Sequence, residues 1–205
     1  MRMANKKVLL TGFEPFGNAS FNPSSAVVQE IEKKIIDGVD LVTEVLPVEF
    51  KRSAEILLEK IKETAPDIVI CLGQAEGRDY IGPEQVAINL ADARIPDNAG
   101  ISLHNQVLVA GGPDAYFTTL PIREIVEEIQ SQGIPAKVSL SAGAFICNEI
   151  FYKAQEHLLD SKVFSGFIHL PLAPVQAAEF PGLPTMPLED QVKAITTAIE
   201  VCARV

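Results

Sequence analysis

The sequence contains no long hydrophobic run, because its apolar residues come in short groups. Nothing in it approaches the roughly 18 to 20 consecutive apolar residues that a membrane-spanning helix needs. Near the N-terminus the apolar run consists of Val8, Leu9 and Leu10 before Thr11, which is too short for the core of a signal peptide. We therefore expect neither a membrane span nor a secretory leader, and no membrane partner.

Positive charge is in short supply. The chain has 17 Lys and Arg residues against 27 Asp and Glu residues, which gives a formal net charge of −10. No local cluster of basic residues offsets this excess of negative charge. Proteins that bind nucleic acids need a basic surface to neutralise phosphates, so we exclude nucleic acid as a partner.

Cysteine is also scarce. Cys71, Cys147 and Cys202 are odd in number and far apart in the sequence, which does not suggest a framework of disulfides. Reduced thiols are typical of the cytoplasm, and we expect a cytoplasmic protein. Cys71 lies within an apolar run and Cys202 on an apolar helix face, so both are predicted to be core residues.

The familiar phosphate-binding motifs are missing. The segment TGFEPFG follows the first predicted strand, but it has neither the G-x-G-x-x-G nor the G-x-x-x-x-G-K-[ST] pattern. Glu14 within it would repel a phosphate. Phe13 and Phe16 instead indicate an apolar slot, although aromatic rings in a loop more commonly fix the loop to the core.

What the sequence does contain is an alternation of strands and amphipathic helices. With 205 residues, of which 47% are hydrophobic, the chain can form one sizeable core, and we predict a single domain over residues 1–205. The pattern predicts an α/β fold with an open, twisted, largely parallel sheet and helices on both faces. The predicted strands are 7–11, 41–45, 68–72, 136–140 and 163–170. Apolar residues at helical spacing place helices around 28–35, 54–61, 122–129, 150–158 and 192–202.

Residues 73–112 form a long irregular insertion, which in a compact domain is usually functional or poorly ordered. Within it we predict one strand through Val86, Ile88 and Leu90 and another at 107–109. Ligands of parallel α/β sheets bind beyond the carboxyl ends of the strands. The loops at this edge begin at Gly12, Gly73, Ser141 and Pro171.

Cys147 is the candidate nucleophile. It lies in SLSAGAFICNE, residues 139–149, where a predicted strand leads through small residues into a helix. At a helix N-terminus, unpaired N–H groups and the positive end of the helix dipole favour the thiolate. The alternative is a cysteine that only helps to pack the start of the helix.

His169 is the candidate general base. It ends the strand GFIHLP, at the sheet edge where active-site loops gather. The alternative is a histidine bonded only to backbone groups. His104 lies in the irregular insertion, and His157 is predicted at a helix surface.

A third group usually orients the imidazole of such a pair. The candidates are carboxylates of the irregular insertion, and their spacing does not choose among them. They are Asp79, Glu84, Asp92 and Asp97.

Several motifs occur together and in order along the chain: TGFEPFG followed by NPS, GRDYIGPEQVAIN followed by IPDN-x-G, GP-x-AYF-x-T-LP, S-x-SAG-x-F-x-CN, and GFIHLP. In this combination the chain resembles the pyroglutamyl-peptidase I (pyrrolidone-carboxylate peptidase) family of cysteine peptidases. The resemblance extends from about Val8 to the final helix, which is essentially the whole chain.

The resemblance implies that the protein removes N-terminal pyroglutamate (5-oxoproline) from peptides through a thioester intermediate. It assigns the nucleophile to Cys147, the general base to His169 and the orienting carboxylate to Glu84. It implies that Phe13 and Phe16 sandwich the pyrrolidone ring. It also implies a cytosolic homotetramer that needs neither a cofactor nor a metal. The remaining residues that it places at the substrate pocket are Gln74, Arg94, Phe145 and Ile146.

The chemistry of the substrate gives an independent expectation. Pyroglutamate is a neutral lactam without a free α-amine, so its pocket should be apolar, with a few amide-matching groups and no carboxylate. Two other functions compete with this one. A nucleoside phosphorylase-like enzyme would need a phosphate site, against which the lack of Arg and Lys in the early loops argues. A binding protein without catalysis would not need Cys147, His169 and Glu84.

Overall fold

The computed structural model describes residues 5–17 and 19–205. The strands are β1 (Lys6–Phe13), β2 (Val39–Leu46), β3 (Ile68–Gln74), β4 (Gly82–Pro83), β5 (Val86–Ile88), β6 (Ala115–Phe117) and β7 (Phe164–Leu170). The α-helices are α1 (Pro23–Glu32), α2 (Arg52–Thr64), α3 (Ile122–Ser131), α4 (Ile146–His157) and α5 (Leu188–Arg204), and Pro174–Gln176 forms a short 3₁₀ helix.

The central sheet has the strand order β2-β1-β3-β7-β4. Strands β2, β1, β3 and β7 run parallel to their neighbours, and the two-residue β4 pairs antiparallel with β7 at one edge. A separate antiparallel ribbon joins β5 and β6. The predicted largely parallel α/β sheet is therefore confirmed, with one antiparallel strand at its edge.

Alternate residues of the central strands point to opposite faces of the sheet, and both faces are apolar. Val8 and Leu10 of β1 pack in a cluster with α1, α3 and α5, whereas Leu9 packs in a second cluster with α2 and α4. The prediction of helices on both faces is confirmed. Within the described residues, none of the helices has both the length and the apolar character needed to cross a bilayer.

The strand predicted at 136–140 is not formed as a regular strand. Its backbone pairs with the β4 region only through isolated bridges, between Ile81 and Ala136 and between Glu84 and Ser139. The reason is its position at the sheet edge, where the neighbouring strand is only two residues long. An apolar sequence alone does not supply a partner.

The irregular insertion differs from its prediction at its second strand. Strand β5 confirms the first predicted strand at Val86 and Ile88 but ends before Leu90, and residues 107–109 form no strand. Val107 is 65% exposed, and the N–H of Val109 donates to Oδ1 of Asn89 (2.9 Å) instead of to a partner strand. The strand that does pair with β5 is β6, which the sequence analysis did not identify because it is only three residues long.

Candidate active site

The carboxyl ends of β3 and β7 meet at the centre of the sheet, where Gly73 is paired with His169. The His169 ring lies 4.8 Å from the ring of Phe167, two residues earlier on the same face of β7. Phe167 in turn packs 6.3 Å from Phe151 of α4. His169 therefore lies on the face of the sheet that α2 and α4 cover.

Helix α4 brings Cys147 to the same place. Cys147 is the second residue of this helix, and a Cβ atom built on Gly73 would lie only 2.9 Å from its Sγ atom. The sulfur thus sits directly over the glycine that is paired with His169, and adjacent strands are only about 4.8 Å apart. The absence of a side chain at Gly73 is what allows the helix to bring the thiol down onto the sheet.

Glu84 holds the His169 imidazole from the other side. Its Oε1 atom lies 2.7 Å from Nδ1 of His169, and both side chains are buried. An ionised carboxylate can only accept hydrogen bonds. Nδ1 of His169 therefore carries the proton and donates a hydrogen bond to Glu84. Nε2 is then left with its lone pair, which is the form that a general base requires.

The other candidate carboxylates make different contacts. Asp97 accepts the N–H of Phe50 at 2.8 Å and fixes its own loop. Asp92 lies 3.6 Å from His104, with both side chains largely exposed. Asp79 is exposed to solvent. Of the four carboxylates, only Glu84 contacts His169.

The sequence analysis missed Arg78. Its Nη1 atom donates to Oε1 of Glu84 at 2.7 Å, and its Nη2 atom donates to the carbonyl oxygen of Ser141 at 3.2 Å. Oε1 of Glu84 thus accepts from both His169 and Arg78, whereas its Oε2 atom is buried without a hydrogen-bond partner among the residues that the structure describes. The motif GRDYIGPEQ contains Arg78, but no local pattern sets this arginine apart from an exposed one.

These contacts determine the charges of the buried pair. Burial alone would raise the pKa of Glu84, but the hydrogen bond and charge of His169, the nearby hydroxyl of Ser139 and the charge of Arg78 lower that pKa below its usual value. Burial lowers the pKa of His169 and outweighs the bond and charge of Glu84, which would raise it. The resting pair is therefore an ionised glutamate beside a neutral histidine.

The thiol of Cys147 does not have the lowered pKa that its place at a helix N-terminus predicted. Burial, reinforced by the negative charge of Glu84, raises the pKa of this thiol to about 12. The local backbone N–H and the charge of Arg78 act in the opposite direction but are weaker. Burial by distant parts of the chain therefore acts against the stabilisation of the thiolate that the helix terminus provides.

The other cysteines and histidines lie apart from this cluster. Cys71 and Cys202 are buried in the two apolar clusters, and burial raises the pKa of each thiol to about 12. His104 and His157 are exposed. Cys71 and Cys202 are therefore core residues, as predicted.

The first turn of α4 offers free hydrogen-bond donors beside the sulfur. No side chain caps this helix, and its first backbone bond runs from the N–H of Glu149 to the carbonyl of Phe145. The N–H groups of residues 146–148 have no partner among the described parts of the chain. Such groups can stabilise negative charge on an oxygen bound at this position.

A cavity of about 280 Å³ opens in front of Cys147. Phe13 and Phe16 line it, and the Phe16 ring lies 5.4 Å from the ring of Phe145. All of the sequence-predicted pocket residues contribute to its walls, whereas Glu84 and His169 lie behind them. The lining residues are Phe13, Phe16, Asn22, Val48, Gln74, Glu76, Arg94, Ile95, Phe145, Ile146 and Cys147.

The polar part of the cavity differs from expectation in one respect. Glu76, which directly follows β3 and is exposed, lines the mouth, so the pocket does contain a carboxylate. Among the residues that the structure describes, Arg94 is the one basic side chain that lines the cavity. Within the same residues it forms no ion pair with Glu76. One arginine beside a carboxylate is a poor site for phosphate, which argues against the phosphorylase alternative.

Gln74 is held in a defined orientation. Nε2 of Gln176 donates to Oε1 of Gln74 at 2.8 Å, and Oε1 of Gln176 accepts the N–H of Ala173 at 3.0 Å. The NH₂ group of Gln74 therefore remains available to a carbonyl in the cavity. Gln176 belongs to the 3₁₀ helix in a segment that the sequence analysis assigned to a loop, and no local signal connects it with Gln74.

Asn98 fixes the loop that carries Phe16. Its side-chain oxygen accepts the N–H of Gly17 at 3.0 Å, and its NH₂ group donates to the carboxylate of Glu14 and the carbonyl of Pro15, each at 3.1 Å. The Phe16 ring is thereby held over the cavity by a residue from the irregular insertion.

Comparison with known proteins shows where this arrangement belongs. The sequence model of the family described as pyroglutamyl peptidase matches residues 6–205. The chain belongs to the pyroglutamyl peptidase family. The resemblance inferred from the sequence motifs is thereby confirmed.

Curated members of the pyroglutamyl peptidase family are similar over nearly their whole length. The chain is 48% identical over 195 residues to a pyrrolidone-carboxylate peptidase from Aliivibrio fischeri, covering 95% of this chain and 92% of that protein. It is 45% identical over 202 residues to the corresponding protein from Bacillus cereus, covering 98% and 94%.

Solved structures of this peptidase family have the same fold. The crystal structure of pyroglutamyl peptidase I from Bacillus amyloliquefaciens superimposes with a TM-score of 0.94 at 43% identity, covering 98% of each chain. A mutant pyrrolidone carboxyl peptidase from Pyrococcus furiosus gives a TM-score of 0.93 at 39% identity, covering 97% of this chain and 98% of that one.

Proposed function

We propose that this chain is a cysteine peptidase that hydrolyses the peptide bond after an N-terminal pyroglutamate. The observation that carries the proposal is the 2.7 Å contact between Glu84 and His169, at the point of the sheet over which α4 places the Cys147 sulfur. A nucleophile, a base and an orienting carboxylate are the groups that acyl transfer by a thiol requires.

The reaction begins with a neutral thiol, because burial raises the pKa of Cys147 to about 12. Nε2 of His169 takes the thiol proton as the sulfur attacks the carbonyl carbon of pyroglutamate. Glu84 accepts the Nδ1–H bond and stabilises the imidazolium as it forms. The negative oxygen of the tetrahedral intermediate is bound by the unpaired N–H groups of residues 146–148.

Collapse of that intermediate breaks the bond between carbon and nitrogen. His169 returns its proton to the departing amine, which leaves as the shortened peptide. Pyroglutamate remains bound to Cys147 as a thioester. A water molecule then gives a proton to His169 and adds to the carbonyl, and the carbon–sulfur bond breaks with return of the proton to the sulfur.

Recognition of the lactam ring belongs to the cavity. Phe13 and Phe16 offer apolar faces to the ring, and Phe145 supports Phe16 from behind. The NH₂ group of Gln74, oriented by Gln176, donates to the lactam carbonyl. Arg94 is proposed to act at the same cavity, with Ile146 forming part of the wall.

The test is turnover of a pyroglutamyl-arylamide, with release of the arylamine followed over time. We expect Cys147→Ser to abolish turnover while the fold and the binding of pyroglutamate are retained, because a hydroxyl is a much poorer nucleophile in a site built for a thiol. Cys71→Ser and Cys202→Ser serve as controls and should keep activity per folded molecule. A wild-type protein without turnover, or iodoacetamide inactivation that follows Cys71 or Cys202, would contradict the proposal.

We also propose that residues 1–205 form a single peptidase domain that acts in the cytoplasm as a homotetramer. The three cysteines are unpaired, which suits a reducing compartment. Light scattering of the purified protein measures the assembly directly, and a monomeric mass at micromolar concentration would exclude the tetramer.

A further inference from the structure

Arg78 connects two parts of the site through its side chain, in addition to the backbone bridge between Glu84 and Ser139. One arm of its guanidinium donates to Oε1 of Glu84, and the other donates to the carbonyl of Ser141, in the loop that leads to Cys147. We infer that Arg78 is a positioning residue, which holds the orienting carboxylate and the nucleophile loop in fixed relation to each other. This inference rests on the proposed function.

The surroundings of Arg78 are shaped to hold it in this place. Its side chain is only 20% exposed, and its partner Glu84 is fully buried. A Cβ atom built on Gly82 would lie 2.6 Å from Nη1 of Arg78, so the guanidinium reaches Glu84 through space that only a glycine leaves open. Gly82 does not have a positive φ, so this space, and not backbone conformation, is what a side chain here would disturb.

The two bonds use the shape of a guanidinium. Its nitrogen atoms lie in one plane and point in fixed directions, so one side chain can bond two acceptors at once. A lysine ammonium is a single point charge, which can pair with Glu84 but cannot reproduce the fork. Arg78→Lys therefore keeps the positive charge at this position but removes the ability to bond both acceptors at once.

Arg78 also balances the charge of the pair behind it. In the described part of the chain, the charged groups that act on His169 are Glu84 and Arg78, and the thiol of Cys147 lies over Gly73, the residue paired with His169. Glu84 favours the imidazolium and Arg78 opposes it. Loss of Arg78 should therefore raise the pKa of His169, whereas loss of Glu84 should lower it.

The experiment compares Arg78→Gln, Arg78→Lys and Gly82→Ala by steady-state kinetics and by NMR titration of His169. We expect Arg78→Gln to lower kcat roughly 10- to 100-fold, the range that corresponds to one hydrogen bond to a charged group, with little change in KM. The pKa of His169 should rise in this variant. Arg78→Lys should keep the His169 titration near wild type but recover kcat only in part. Gly82→Ala should lower kcat although the arginine is still present.

Arg52→Gln is the matched control, because Arg52 is 56% exposed and, among the residues that the structure describes, forms an ion pair only with its helix neighbour Glu55. It should leave kcat and the His169 titration unchanged. Wild-type kcat together with an unchanged His169 titration in Arg78→Gln would overturn the inference. If that variant does not fold, wild-type kcat in both Arg78→Lys and Gly82→Ala would overturn it. The titration needs no substrate, so a wild-type protein without turnover would refute the proposed function and still leave Arg78 tested.

Discussion

Replacing Gly73 by alanine tests whether the thiol lies where the structure places it. The added Cβ would come within 2.9 Å of Sγ of Cys147 and 2.7 Å of Cζ of Phe167. Carbon and sulfur cannot approach so closely, so either the sulfur, the aromatic ring or the strand must move. Because Gly73 is paired with His169, any such movement occurs inside the proposed catalytic group.

The size of the effect follows from these distances. Ordinary contacts of a Cβ atom begin at 3.4 Å, so the sulfur must retreat by at least about 0.5 Å if it alone gives way. A misplacement of about 1 Å costs on the order of 100-fold in rate, so we expect kcat to fall about 10- to 100-fold. Overpacking of the surrounding core should also lower the free energy of unfolding by about 1–3 kcal/mol.

The assay is arylamide turnover per folded molecule, with the folded fraction taken from urea unfolding. Gly166→Ala is the control, because its Cβ would meet Oγ1 of Thr118 and would lie 2.7 Å from Cδ1 of Leu120, on the opposite face of the sheet. It should lose stability to a similar extent but keep its kcat. Equal kcat values in the two variants would refute the placement of the Cys147 sulfur over Gly73.

Four further predictions concern the triad and the cavity. Glu84→Gln should lower kcat far more than it raises KM. It should also lower the pKa of His169 further in an NMR titration, because the hydrogen bond and the charge of Glu84, which raise that pKa, are weakened. An unchanged His169 titration would contradict the triad. Since the pKa of His169 already lies below 6.5, the acid limb of wild-type kcat/KM should fall below pH 6.5, and a limb above that pH would contradict the assignment of the base. Phe16→Ala should reduce kcat/KM for pyroglutamyl substrates by a free energy of about 1–3 kcal/mol, whereas kcat/KM equal to wild type would exclude the ring from recognition. Glu76→Gln should reduce the preference, measured as a ratio of kcat/KM values, for substrates with arginine after pyroglutamate over substrates with glutamate at that position. The reduction should reach at most about 5-fold, since exposed ion pairs contribute about 0.2–1 kcal/mol. An equal ratio in variant and wild type would show that Glu76 does not contact the residue that follows pyroglutamate.

The sheet could be predicted from the sequence because burial on both faces leaves a clear pattern. Residues 68–72 are apolar without interruption, and they form the first five residues of β3, which lies between β1 and β7. The strand prediction was wrong at 136–140, where apolar residues alternate with Lys137 and Ser139 and the segment lies beside a two-residue strand. Strand character depends on the length of the partner, which is set elsewhere in the chain.

The site could be predicted in part for a related reason. His169 lies at the end of a strand and Cys147 in the first turn of a helix, and such positions collect at the carboxyl edge of a parallel sheet. Their distance from each other then follows from the topology. Glu84 lies in an irregular segment beside the antiparallel edge strand, so its spacing to His169 carries no information, and only the motif resemblance separated it from the other carboxylates.

The charge state of the nucleophile shows where local rules stop. A cysteine in the first turn of a helix is expected to have a lowered pKa, and the backbone N–H groups near Cys147 do act in that direction. Burial and the nearby carboxylate of Glu84 outweigh them, and both depend on residues far away in the sequence. In the proposed reaction the thiol therefore gives its proton to the neutral form of His169. The position of Glu84, and of the arginine that holds it, therefore bears directly on whether Cys147 can react.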